Sequence, residues 1–155
     1  MSTSYLPAGL PAPQPFPDGL DRPFWDGLRR EELVIQRCQD CQRFQWLPEW
    51  LCHRCHSTRL EFAPVAPHGR VYSWYRAWNH PHPALAGVSA YLVVLVALAE
   101  APGVRLIGNL LGDPMRDPTI GTAVVGAFEH QSEHSLLQWR IHDGPSRKDG
   151  PHDED

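Results

Sequence analysis

A chain of 155 residues, 42% of them hydrophobic, can bury one ordinary core or two small ones. Its formal charge of −4, from 14 basic and 18 acidic side chains, argues against a nucleic-acid backbone as partner. The longest apolar run, Tyr91 to Ala99, is too short to cross a bilayer as a helix. Met1 to Asp21 lacks the basic start and continuous apolar stretch of an export signal, so a reducing, cytoplasmic setting is expected.

Residues 1–17 carry Pro7, Pro11, Pro13, Pro15 and Pro17 among small residues, the composition of a disordered or extended arm. Residues 18–34 read as a helical segment. Asp21 is placed to cap it, Pro23 suits the first turn, and Phe24, Trp25, Leu28 and Leu33 form an apolar stripe interrupted by Gly27. Residues 35–66 hold all four cysteines in two Cys-x2-Cys pairs, "CQDCQRFQWLPEWLCHRC". Each pair turns the chain so that both sulfurs face one ion. Together Cys38, Cys41, Cys52 and Cys55 supply the tetrahedral thiolate set of structural zinc. Iron in a rubredoxin-like cage uses the same four ligands. Disulfides are disfavoured in a reducing compartment, and a redox centre needs only one such pair. Four thiolates fill the coordination sphere, so the metal is expected to be structural rather than catalytic. The intervening "QRFQWLPEWL" reads as a two-strand excursion with Pro48 near its tip, its Phe44, Trp46 and Trp50 covering the site. His53 and His56 read as surface residues on the second knuckle, or as substitute ligands if a cysteine were lost.

Residues 67–142 change texture. "RVYSWYRAW", "AYLVVLVALAE", "VRLIGNLLG", "TAVVGAFEH" and "SLLQWRI" are five strand-like runs bounded by turn residues, which fits a small closed barrel. Gly108 and Gly126 fall inside strands, where a barrel bends. Period-2 alternation places Tyr72, Trp74 and Trp78 on one face and Tyr75 on the other. Residues 143–155 read as a polar tail. The fold class expected is therefore mainly β: a short N-terminal helix, a four-cysteine ribbon and a five-stranded OB-fold barrel.

No nucleophile elbow, zincin helix or phosphate-cradling loop is present. The segment that invites chemistry is "WNHPHP", between the first two barrel strands. It reads as a proline-stiffened loop with solvated histidines. It also reads as a recognition loop, with Trp78 stacking an adenine and Asn79, His80 or His82 bonding a pantetheine amide or phosphate. In a third reading His80 and His82 are general bases.

"FWDGLRREELVIQRCQDCQRFQWLPEWLCHRC", followed by "GRVYSWYRAWNHPHP", "PGVRLIGNLLG" and "IGTAVVGAFE…LLQWRI", resembles the acyl-CoA-associated family that joins a rubredoxin-like zinc ribbon to an OB-fold. The resemblance covers Pro23 to Ile141. It implies a non-catalytic accessory subunit that binds or channels acyl-CoA thioesters in lipid or steroid side-chain metabolism. The implied partner is a thiolase-like enzyme, a lipid-transfer-protein-like aldolase or a MaoC-type hydratase, met through the ribbon and leading helix. Neither nucleic acid nor membrane is an expected partner. Two readings from other classes stand beside it: an OB-fold that binds single-stranded nucleic acid, and a free-standing hydrolase or lyase using the His80/His82 loop.

Overall fold

A computed structural model describes residues 5, 7–11, 13–79, 81–131 and 134–142. The chain begins with helix α1 (Arg22–Arg29), entered through Pro23. Its end comes earlier than the apolar stripe suggests. Gly27 lies so close to the returning chain that a Cβ there would stand 2.8 Å from the Glu32 carbonyl. Glu31 takes a left-handed φ of 59° and reverses the path. Leu33, expected on the helix, instead opens strand β1 (Leu33–Cys38). Asp21 does not cap in the expected way. One carboxylate oxygen accepts from the Phe16 N–H (3.0 Å) and the other from the Trp25 indole N–H (2.6 Å), so it ties the arm to the helix.

β1 is the middle strand of a three-stranded antiparallel sheet, between β2 (Phe44–Gln45) and β3 (Leu60–Val65). The expected two-strand excursion is only this two-residue strand followed by irregular chain. Phe44 and Trp46 do not cover the cysteines alone. They pack on the core, with the Trp46 ring 4.4 Å from Phe24, while Trp50 points to solvent.

Five strands then close a barrel: β4 (His68–Ala77), β5 (Tyr91–Leu98), β6 (Arg105–Leu110), β7 (Ala123–His130) and β8 (Ser135–Ile141). The order around it is β4-β5-β6-β8-β7 and back to β4. All pairings are antiparallel except β6 with β8, which gives the OB-fold arrangement. The parallel seam has a single register pair, Leu110↔Trp139. Side chains brace it. Gln138 accepts from the Asn109 N–H (2.7 Å) and donates to Glu129 (2.7 Å), a carboxylate with 0% exposure. Gly108 and Gly126 mark close approaches, where a Cβ would collide with Trp139 or with Leu137 and Pro67.

One apolar cluster runs through all three parts. Phe24 and Leu28 of α1, Leu33, Ile35 and Val65 of the ribbon sheet, and Val94, Val96, Val124 and Trp139 of the barrel belong to it. The ribbon is therefore packed into the barrel's own core. β4 departs from the expected alternation. Its register shifts between Val71 and Ser73; Tyr72 keeps the outward side that follows buried Val71, and the bulge leaves Ser73 outward as well, so that Trp74 turns inward and Tyr75 outward. Tyr72, Tyr75 and Trp78 are all exposed, and only Trp74 packs on the core. Between β4 and β5 lies one turn of 3₁₀ helix, Pro83–Leu85. Among the described residues no helix is long and apolar enough to cross a membrane.

Candidate metal centre and barrel groove

Two knuckles of matching geometry hold the cysteines. In the first, the Gln42 N–H donates to the Cys38 carbonyl (2.9 Å). In the second, the His56 N–H donates to the Cys52 carbonyl (3.1 Å). Gln42 and His56 both adopt a left-handed φ of 60°, which swings the chain out after the second cysteine of each pair. The sulfurs of Cys38 and Cys55 stand 3.6 Å apart and those of Cys41 and Cys52 3.5 Å apart. All four lie within 4.8 Å of one another. A tetrahedron with metal–sulfur bonds of about 2.3 Å needs sulfurs about 3.8 Å apart, so the donor set and its spacing fit one metal ion. No fifth donor is needed, and the role this geometry supports is to hold the ribbon.

The backbone favours thiolates at two of the positions. The Cys55 N–H, then that of Arg54, bring the Cys52 thiol down to about 6. Cys38 is lowered chiefly by the Cys41 N–H. Cys55 behaves oppositely. Although the Ser57 N–H lowers it, burial and the neighbouring sulfurs of Cys38, Cys41 and Cys52 push it up to about 12. Without an ion four thiolates repel one another. A divalent cation removes that repulsion, and because the four donors converge only in the folded chain, metal binding and folding are coupled. Asp40 links the knuckles by accepting from Ser57 Oγ (2.5 Å) and pairing with Arg59.

The irregular segment between the knuckles is braced by two buried glutamines that register opposite each other on β1 and β2, Gln36 and Gln45. Gln45 Nε2 donates to Gln36 Oε1 (2.6 Å) and to the Leu51 carbonyl (3.1 Å), and its Oε1 accepts from the His53 N–H (2.9 Å). Gln36 exchanges two bonds with the backbone of Glu49. Gln45→Leu leaves the His53 N–H and the Leu51 carbonyl without these partners. We expect a loss of about 2–3 kcal/mol, read as a lower denaturant midpoint at full metal occupancy. An unchanged midpoint would mean that water replaces the amide without cost.

The second feature is a groove of about 720 Å³ beside the β4–β5 connection. Leu85, Val88, Leu110 and Leu111 supply apolar walls, Arg140 the cation, and Tyr5 and Leu10 of the N-terminal arm one side. The arm is pinned there. The Tyr5 N–H donates to buried Glu129 (3.0 Å), and the Arg140 guanidinium lies 5.0 Å from the Tyr5 ring. Of the loop singled out in the sequence, Trp78, Asn79 and His82 lie next to this groove in the chain but do not line it. Trp78 and Asn79 are exposed, with the Arg76 guanidinium 5.9 Å from the Trp78 ring. His82 Nδ1 accepts from the Ala84 N–H (3.1 Å) and so caps the 3₁₀ turn. His80 lies outside the described residues, as does the expected tail 143–155. Sequence reading missed the groove, because Leu85, Val88 and Leu111 carry no signal beyond hydrophobicity. It also missed the glutamine pair, since glutamine reads as a surface residue.

Residues 25–61 match the family described as ChsH2, rubredoxin-like zinc ribbon domain. The chain is 38% identical over 106 residues to a probable enoyl-CoA hydratase alpha subunit of Thermomonospora curvata, a match covering 68% of this chain and 32% of that protein. It is 31% identical over 148 residues to the 3-oxo-4,17-pregnadiene-20-carboxyl-CoA hydratase alpha subunit of Mycobacterium tuberculosis, covering 87% of this chain and 45% of that protein. The chain thus spans less than half the length of the curated relatives it matches. A chain of the solved Ltp2-ChsH2(DUF35) aldolase superposes with a TM-score of 0.71 at 31% identity, covering 85% of this chain and 98% of that one.

Proposed function

This chain belongs to the DUF35 family, and from that premise we propose that it is a non-catalytic accessory subunit of an acyl-CoA enzyme. The observation that carries this reading is its likeness, over nearly the full length of that chain, to the DUF35 component of an aldolase complex. Two hydratase alpha subunits among its relatives support the same class of partner, an aldolase or a hydratase acting on a CoA thioester. The four thiolates hold one zinc ion whose work is structural; a red, iron-type absorption spectrum would change the metal and keep the cage. The ribbon supplies a docking surface, since Leu47, Trp50 and Leu51 are exposed together on it, Trp50 by 65%. Tryptophan in such a position is a common anchor of interfaces.

The groove is the place for the acyl group. Its aliphatic walls suit a hydrocarbon, and Arg140 suits an anionic end. Trp78, Asn79, His80 and His82, on the adjoining loop, then meet the pantetheine or nucleotide part. The experiment is co-expression with the acyl-CoA hydratases and aldolases of the same organism, followed by size-exclusion chromatography and assay. We expect one of them to co-elute with the chain and Trp50→Ala to weaken that complex. His80→Ala should leave assembly intact and raise the apparent KM. Val88→Trp, which fills the groove, should raise KM for long acyl chains more than for short ones. If no enzyme co-elutes and each turns over its substrate equally well without the chain, the accessory reading is wrong. If turnover falls to background in the His80→Ala complex, that histidine is catalytic.

A further inference from the structure

The outer face of β4, β5 and β6 carries an unusual set of side chains for a surface. The register lines up Tyr75, Val93 and Asn109 in one row, Ser73, Leu95 and Ile107 in the next, and Arg70, Ala97 and Arg105 in a third. The neighbouring positions Val71, Val94, Val96 and Leu106 are buried, so these rows face outward. Tyr72, which pairs with no residue of β5, is exposed on the same face, and the Arg105 guanidinium lies 3.8 Å from its ring. Ile107, on β6, is 71% exposed, Tyr72 and Tyr75 are exposed on β4, and the half-buried Val93 and Leu95 lie between them on β5. Two exposed tyrosines on one outer strand, an exposed isoleucine on the other and two half-buried aliphatics between them have the composition of an interface core.

Charge identifies what lies opposite. The three strands contain no Asp or Glu, although the chain has 18 of them. Arg76 is taken up by Asp117 and the Pro114 carbonyl. Along one border of the face Arg70 donates to the Gly121 carbonyl (2.9 Å) and Arg105 lies over Tyr72, but neither makes an ion pair among the described residues. A second copy of this chain would bring the same carboxylate-free strands against their own arginines. The partner that fits has an apolar centre and carboxylates along the edge that meets Arg70 and Arg105.

We infer that this sheet face is a second docking surface, separate from the ribbon tip, and that it seats the partner acyl-CoA enzyme through an apolar patch with an acidic border. This rests on the accessory-subunit reading above. The test uses the hydratase or aldolase that co-elutes with the full chain, titrated against wild type and against Ile107→Asp and Arg105→Glu. We expect Ile107→Asp to weaken binding by about tenfold or more. Arg105→Glu should weaken it and flatten its salt dependence. Because a β-sheet aspartate can disturb the strand, hydroxyl-radical footprinting of the wild-type complex gives an independent readout, in which Tyr72 and Tyr75 should be protected. A complex that forms with unchanged affinity in both variants and leaves both tyrosines open overturns the surface while sparing the accessory role. A wild-type chain that binds no enzyme overturns both. A chain that self-associates, is dissociated by Ile107→Asp and still binds the enzyme normally would reassign the face to a contact between copies.

Discussion

Cys52→Ser should lose the metal and, with it, the ordered ribbon. Cys52 is almost fully buried, faces Cys41 at 3.5 Å and receives the Arg54 N–H at 3.4 Å. A hydroxyl does not ionise to replace the thiolate, so three donors remain around an ion that wants four. Coupled metal binding and folding in such sites is worth on the order of 10 kcal/mol, and losing one ligand forfeits much of it. What remains between the knuckles is the glutamine bracing, worth only a few kcal/mol. The damage should not stop at the ribbon, because Leu33, Ile35 and Val65 belong to the same apolar cluster as the barrel strands. Metal analysis should fall from about one equivalent to near zero, and amide exchange should quicken across β1 and β3 before it does in β5. A chelator should reproduce this in the wild type, and so should acid, since protons compete with the metal for every thiolate. Full metal content in Cys52→Ser would remove Cys52 from the ligand set. His56→Gly is the matching control. It relieves a left-handed non-glycine residue and should keep the metal, whereas loss of metal there would make His56 a ligand.

The strands of the barrel were legible because their chemistry is local. Tyr91–Leu98 is an unbroken apolar run between turn residues, and it is a strand. Which side of it faces the core was not legible, since "YLVVLVAL" offers no polar residue to mark the outside. The structure buries Leu92, Val94, Val96 and Leu98 and leaves Val93 and Leu95 on the outer face. The cysteine cluster was legible from spacing alone, because two tight turns bring four sulfurs together whatever surrounds them. The end of α1 was not. Gly27 reads as a weak helix residue, while its task is to let the Glu32 carbonyl approach, a tertiary contact between segments that both look helical. The same holds for Trp74 and Tyr75. A one-residue bulge reverses the side on which every later residue of β4 falls, and no residue type in "RVYSWY" announces it. Gln138 and Glu129 look like surface residues in the sequence. They are buried because β6 and β8 share only one register pair, and side-chain bonds do there what a ladder does elsewhere.

Trp139→Ala should cost about 3–5 kcal/mol, the usual range for emptying a buried aromatic site. For a chain of this length that lowers the thermal midpoint by on the order of 10 °C. Trp139 has 0% exposure and sits at the parallel seam, registered with both Leu110 and Gly126. Its indole N–H finds no hydrogen-bond partner among the described residues, so the ring is there for its volume rather than for its polar atom. Trp139→Phe, which keeps most of that volume and removes the unsatisfied N–H, should therefore cost much less, about 1 kcal/mol. Gly108 explains how so large a ring fits. A Cβ at that position would lie 2.9 Å from the indole Cδ1 and Nε1 and 2.7 Å from the Leu137 carbonyl oxygen. Gly108→Ala should cost about 1–3 kcal/mol by overpacking. The two changes should not add, because in the absence of the ring one of the two obstacles to the new methyl is gone. The double variant should be about 1 kcal/mol more stable than the sum of the singles requires, measured by denaturant titration at equal metal content. Strict additivity would show that the Leu137 carbonyl alone excludes a side chain at Gly108, and that the indole is not packed on it.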